Sequence, residues 1–209
     1  MATFAPHVID RFVAPGASAF TSAEIPDMSM YAKESSHWVA NFFLNSVFGP
    51  TWKPPYNAYM YNYLRRAEAA FSSHAAAREA TLAFITGGSQ SSKRYASALF
   101  HWECFLGQSW HGFKTLEKSL GVVIYKKGEG AVEERLNHLY NQMKHVESRI
   151  ENGQLPSGAN VPVWLSNSGL QSVDAEMTFA ETAEILKDVA KWADILQHPK
   201  SAPEKLADA

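Results

Sequence analysis

Residues 131–153 read AVEERLNHLYNQMKHVESRIENG, and this stretch decides the fold class. Leu136, Leu139, Tyr140, Met143, Val146 and Ile150 recur at steps of three and four. That spacing lays an apolar stripe along one side of an α-helix. His138, Asn141, His145 and Arg149 recur the same way on roughly the opposite side. At about 100° per residue these four fall within a sector of under about 90°, with Glu134 inside it and Arg135 and Gln142 at its edge. Exposed helix faces are usually filled with Glu and Lys. Imidazole, amide and guanidinium groups instead suit phosphate binding and proton transfer near neutral pH. Two readings follow: a polar groove or dimer seam, or a solvated face with pairs such as Glu134 and His138.

The same periodicity extends outward in both directions. Upstream, 91–120 carries Leu99, Trp102, Leu106, Phe113, Leu116 and Leu120 at helical steps, with Ser109 filling a gap that suits a close helix contact. Before it, 56–86 carries Tyr59, Met60, Tyr63, Ala67, Ala70, Phe71 and His74, and Gly87-Gly88 stops it. The Tyr-rich run at its start is read as core and flank. Residues 29–48 predict a first helix with Tyr31, Trp38, Phe42, Asn45 and Phe48 on one side, closed by Gly49-Pro50. Downstream, Thr178-Phe-Ala-Glu181 is a capping box that opens a last helix reaching about Gln197. Between the last two helices, Val161-Pro-Val-Trp-Leu165 has strand character, and Pro162 confines it to an edge or a strand start.

The expected fold is therefore all-α: an antiparallel bundle of about five helices with a small irregular or β-like insert near residues 161–177. Residues 1–27, with Pro6, Pro15, Gly16 and Pro26, read as an irregular N-terminal arm. Residues 28–198 read as a single helical domain, and 199–209 as a flexible tail.

Composition narrows the function. The chain has 209 residues, 46% hydrophobic and 12% aromatic with six Trp, enough for a sizeable aromatic core. Nineteen basic residues against 21 acidic ones give a formal charge of −2, so there is no polybasic footprint and no DNA role is expected. The single Cys104 excludes an intrachain disulfide and a Cys-rich metal site. Residues 1–13, with Pro6, Asp10 and Arg11, do not read as a secretory signal, and no run approaches the roughly 20 apolar residues of a membrane helix. A cytoplasmic protein is expected. No Glu-x-x-His or His-Glu-x-x-His motif occurs, and Gly87-Gly88 lacks the Lys-Ser/Thr ending of a phosphate loop, so no metal and no cofactor are expected.

Glu103 lies in the aromatic run Phe100-His-Trp-Glu-Cys-Phe-Leu106, beside the apolar stripe. A carboxylate there needs a partner. It is read either as a buried hydrogen-bonder or as a group orienting His145 or Arg135 from the neighbouring helix. His101 and His111 point away from the stripe and are read as surface.

Leu139-Tyr-Asn-Gln-Met-Lys-His145 resembles a degenerate motif of the HEPN superfamily, helical proteins of prokaryotic defence systems and of RNA processing. The likeness spans about 91–197. It implies that His145, Asn141 and Glu103 form the catalytic group, with Lys144 beside them. Lys144, Arg135, Arg149 and His138 are expected as phosphate contacts. The family's ribonuclease motif places an Arg before the His with four to six residues between them. Those positions hold Tyr140, Leu139 and His138, and Arg135 lies nine intervening residues away. The likeness thus implies an RNA- or nucleotide-interacting protein of an impaired or divergent branch, dimerising through this helix pair. Two alternatives stand beside it: a non-enzymatic interaction bundle, and a small-molecule enzyme with an aromatic pocket around Trp102, Trp110 and Tyr140.

Overall fold

A computed structural model describes residues 6–49, 51–88, 91–157 and 159–198. The α-helices are α1 (Pro6–Phe12), α2 (Ala32–Ser35), α3 (Trp38–Phe48), α4 (Tyr56–Thr86), α5 (Ser92–Leu120), α6 (Val132–Lys144), α7 (Val146–Glu151) and α8 (Phe179–Leu196). Short 3₁₀ turns occupy Ala17–Ala19 and Ser29–Tyr31. Strands β1 (Trp164–Leu165), β2 (Gly169–Gln171) and β3 (Glu176–Thr178) form one antiparallel sheet in the order β1-β2-β3. The protein is mostly helical with a small β insert, as its periodicity predicts.

The frame is the α4–α5 pair, the most extensive contact in the molecule. α4 is rich in Ala, which forms helix at the least entropic cost. Its small buried residues Ala67, Ala70 and Ala77 let α5 approach closely, as do Ser109 and Gly112 on α5. A Cβ on Gly112 would lie 3.6 Å from the Tyr63 ring. The gap that Ser109 leaves in the stripe is filled, and its hydroxyl has no hydrogen-bond partner.

The aromatic core hides rings and satisfies their polar tips, as buried Trp and Tyr require. The Trp102 indole donates to Thr81 Oγ1 at 3.0 Å, and the Trp38 indole to Asp194 at 2.8 Å. Tyr63 donates to the Val189 carbonyl at 2.9 Å, and Tyr95 accepts from the Leu165 amide at 2.9 Å. This last bond ties the β insert to α5. Gly169 is required there, because a Cβ at that position would fall 2.1 Å from the Met177 carbonyl. The expected capping box is formed, with Thr178 accepting from the Glu181 amide and Glu181 from the Thr178 amide.

Three expectations are corrected. The first predicted helix, 29–48, is interrupted at Ser36-His37. Ser36 Oγ donates to the Lys33 carbonyl at 2.9 Å, and His37 Nδ1 meets the same oxygen at 2.7 Å. Side chains thus occupy the acceptor that a continuous helix would use. α3 then restarts with its Val39 amide held by the Glu68 carboxylate of α4 at 2.8 Å. Phe48, expected inward, is 83% exposed because the gap rotates the face. The 131–153 helix is likewise divided at His145, where φ is −112° and ψ 31°. Leu136 and Leu139 are buried as predicted, but Ile150 on α7 is exposed.

The third correction concerns the first residues. The part of 1–27 that is described holds α1 and a 3₁₀ turn, and Ile9, Ala14, Ala17, Phe20 and Ile25 join the same core as α4 and α5. Asn160 donates to the Phe12 carbonyl at 2.5 Å, and Asn167 accepts from the Thr21 and Ser22 amides. These bonds stitch the opening segment to the β insert. The tail expected at 199–209 lies outside the described residues.

Candidate functional site

The residues expected to form the site do not converge. Glu103 sits half-buried on α5, where burial pushes its carboxyl above the usual carboxylate range. It makes no hydrogen bond or ion pair with a described residue, so neither His145 nor Arg135 partners it. Asn141 donates to Asn137 Oδ1 at 2.9 Å, and Asn137 donates to the Tyr125 hydroxyl at 2.5 Å. Arg135 donates to the Gly130 carbonyl at 2.5 Å and forms an ion pair with Glu181, the capping-box carboxylate of α8. Arg149 lies 3.9 Å from Asp174. His138, Lys144 and His145 are exposed.

Glu134, read in the polar sector, is buried because its carboxylate accepts from the Gly128 amide at 2.6 Å and the Gly130 amide at 3.0 Å. These two bonds hold its pKa below the usual value. Gln142 is buried too, donating to Asp174 at 3.2 Å. The cleft beside this face, about 720 Å³, is lined by Glu134, Asp174 and Glu176 together with Arg135 and His138. Three carboxylates against one guanidinium give it the wrong sign for a phosphate.

A second groove has the right sign. Between the start of α4 and the second half of α5 lies a hollow of about 520 Å³. Tyr59, Asn62 and Arg66 reach it from one helix, and His111, Lys114 and Lys118 from the other. Both sets are spaced three and four apart, so each forms a ridge on its own helix. No carboxylate lines the hollow.

Contacts fix its cations in place. Arg66 donates to Gln108 Oε1 at 2.6 Å, which aims the guanidinium across the helix pair. Burial and the neighbouring Arg65 both work against its charge. Lys114 forms an ion pair with Glu117 and lies 5.6 Å above the Trp110 ring. His111 Nε2 is 3.0 Å from the Tyr140 hydroxyl, and the two rings meet edge-on at 5.3 Å. The imidazole pKa is lowered, first by burial and then by the positive charges of Arg66 and Lys144. Lys144 of α6 therefore contributes to the field at this groove.

Chemically, the groove offers an Arg fork, the Lys118 charge, a Lys114 ammonium shared with Glu117, an imidazole and the Tyr59 ring. That set can hold a phosphate and stack a base. Sequence reading placed His111 at the surface, and it is exposed, at the rim of this groove. The signal that would have found the groove is the pair of carboxylate-free polar ridges, 59/62/66 and 111/114/118, on two helices joined by a short connection.

Among the described residues, no group of three or more His, Cys, Asp or Glu side chains could hold a metal ion, and no helix is long and apolar enough to cross a membrane. No family model, curated protein or solved structure matches the chain.

Proposed function

We propose that this protein binds the phosphates of RNA or a nucleotide in the α4–α5 groove. The observation that carries the reading is a hollow whose lining holds no carboxylate and includes Arg66 and Lys118, neither of them ion-paired with a described residue, beside Lys114, which pairs with Glu117. Electrostatic grip on a phosphate backbone needs uncompensated cations, and a chain of net charge −2 can supply them only locally. The likeness of 139–145 to the HEPN motif agrees with an RNA-interacting role. His111 and Tyr140, hydrogen-bonded at the groove, replace His145 as the groups set to exchange a proton with a bound ligand.

Fluorescence anisotropy with a labelled single-stranded oligoribonucleotide tests this. Binding should weaken steeply as salt rises, since each neutralised phosphate contributes about −0.7 to the log–log slope for single strands. The double variant Arg66→Glu/Lys118→Glu should weaken binding about 100-fold at low salt, and Lys144→Glu should weaken it less. Absence of binding by the wild type at low salt overturns the reading.

A second reading concerns assembly, and one observation favours it. Phe43, Leu44, Val47 and Phe48 form a contiguous stripe on α3 and are each more than half exposed. A helix apolar on both sides calls for a partner. A second copy of the chain would bring the same stripe to itself across a two-fold axis. The stripe offers on the order of 400 Å², about half of the roughly 800 Å² per partner of a standard interface. The homodimer seam would then be α3, where the HEPN likeness implied the α6 helix pair. Light scattering should give a dimer that Val47→Glu/Phe48→Glu converts to a monomer. A monomeric wild type at high micromolar concentration would sink this reading.

A further inference from the structure

His74 is 1% exposed, yet it lines a cavity of about 540 Å³ bounded by residues 27–29, by α2 with Ser36, and by the middle of α4. Its Nε2 lies 3.2 Å from the Thr182 hydroxyl. That hydroxyl donates its one hydrogen to the Phe179 carbonyl at 2.7 Å. The imidazole must therefore supply the proton of the longer contact, so Nε2 carries hydrogen and Nδ1 is a bare lone pair. No described residue hydrogen-bonds to Nδ1. The cavity that His74 lines is where a ligand would meet that lone pair. Burial pushes the pKa of this imidazole down to about 4, so it stays an uncharged acceptor at neutral pH.

The rest of the cavity sets the ligand's character. Glu68 spends one oxygen on the Val39 amide and has the other free. Asp27 accepts from the Ser29 amide at 2.8 Å and sits 3.8 Å from Arg78. Arg78 is turned aside by that carboxylate and by the Ile25 carbonyl at 3.3 Å. Two carboxylates against one guanidinium leave the lining with one net negative charge. Phe71 and Met28 supply apolar wall. Among the described residues no trio of His, Cys, Asp or Glu side chains gathers that could hold a metal ion.

We propose that this cavity binds a small organic ammonium ion, with His74 Nδ1 and Glu68 as hydrogen-bond acceptors and Phe71 packing against its apolar body. The three N–H donors of a primary ammonium match acceptors that nothing in the protein uses. A cation near an aromatic face gains further attraction. The volume lies within the roughly 300–1,000 Å³ usual for small-molecule sites. No lining residue is shared with the α4–α5 groove, so the two sites stand or fall separately.

The test is a titration of the full chain, ¹⁵N-labelled at histidine, with 2-phenylethylamine. The comparison ligands are 2-phenylethanol and 3-phenylpropanoate, close in size and differing in charge. The His74 Nδ1 resonance should shift saturably with the amine, with a Kd below about 1 mM. The alcohol should bind at least about tenfold more weakly, a difference of about 1.4 kcal/mol, and the carboxylate not at all. Glu68→Gln keeps an acceptor for the Val39 amide, so it should leave the unfolding midpoint near the wild type and weaken amine binding about tenfold or more. Equal binding of amine and alcohol, no saturable shift with the amine, or a proton found on Nδ1 in the free protein would each overturn the proposal. These three readouts use the wild type and do not depend on any variant folding.

Discussion

Two faces of this protein carry Arg, Lys and His at helical spacing, and they differ in what stands opposite them. On the outer side of α6 and α7, each Arg meets a carboxylate: Arg135 of α6 pairs with Glu181 and Arg149 of α7 with Asp174. In the α4–α5 groove, Arg66 meets an amide, and its neighbours are His111 and Lys118. The first face is a set of ties holding α6 to α8 and to the β insert. The second leaves positive charge unspent. Cations at suitable spacing therefore do not make an anion site until the partners across the packing interface are known.

The sharpest way to test that division is to separate what α6 does for stability from what the groove does for binding. Leu139 is fully buried on the inner side of α6. Leu139→Ala should cost about 2–5 kcal/mol in chemical denaturation. A change under about 0.5 kcal/mol would mean that α6 is not held by its inner face.

The groove should show the next largest effect, and it should appear in binding alone. Arg66→Glu/Lys118→Glu should lower RNA affinity about 100-fold, or roughly 3 kcal/mol, at low salt, with little change in unfolding. If the double variant binds as the wild type does, the phosphate site lies elsewhere.

Acidity should tell the same story through His111. Its pKa is held below 6.5 by burial, Arg66 and Lys144, so it is uncharged at neutral pH. A bound phosphate would favour the charged form, so binding takes up a proton and tightens as pH falls from neutral toward that lowered value. His111→Asn should remove this dependence, and His145→Asn should leave it in place. The sign is opposite for folding: a His whose folded pKa is depressed costs stability as pH drops below its unfolded pKa. A pH slope that His145→Asn removes would return α6 to the centre of the argument.

The smallest effect belongs to the ties. Arg135→Ala removes a partly exposed ion pair and should cost no more than about 1 kcal/mol. RNA affinity should change less than about twofold. A loss of binding comparable to that of the groove variants would erase the distinction between the two faces.

Much of the fold was legible in the chain because helix stripes and caps are local. The bounds of α4 and α5, the capping box of α8 and the β character of 161–177 follow from spacing, terminators and β-branched content over a few residues. The breaks at Ser36-His37 and at His145 were not legible, since periodicity continues through both. At the first, side-chain hydrogen bonds to Lys33 decide the matter. The segment before residue 27 looked irregular because its apolar residues lack a period. They are buried all the same, in one core with helices that begin more than 30 residues further along the chain.

By itself, the sequence determined the helical class, the two long central helices and the presence of basic and imidazole groups at helical spacing. Those properties depend on residues within a turn or two of one another, where covalent geometry sets the neighbours. Only the tertiary structure decided which charges are spent. It set Glu181 against Arg135, left Arg66 and Lys118 without a carboxylate, and turned His74 from one member of a core stripe into the floor of a cavity. Electrostatic and hydrogen-bond partners come from helix packing across long sequence separations, and no local pattern encodes them.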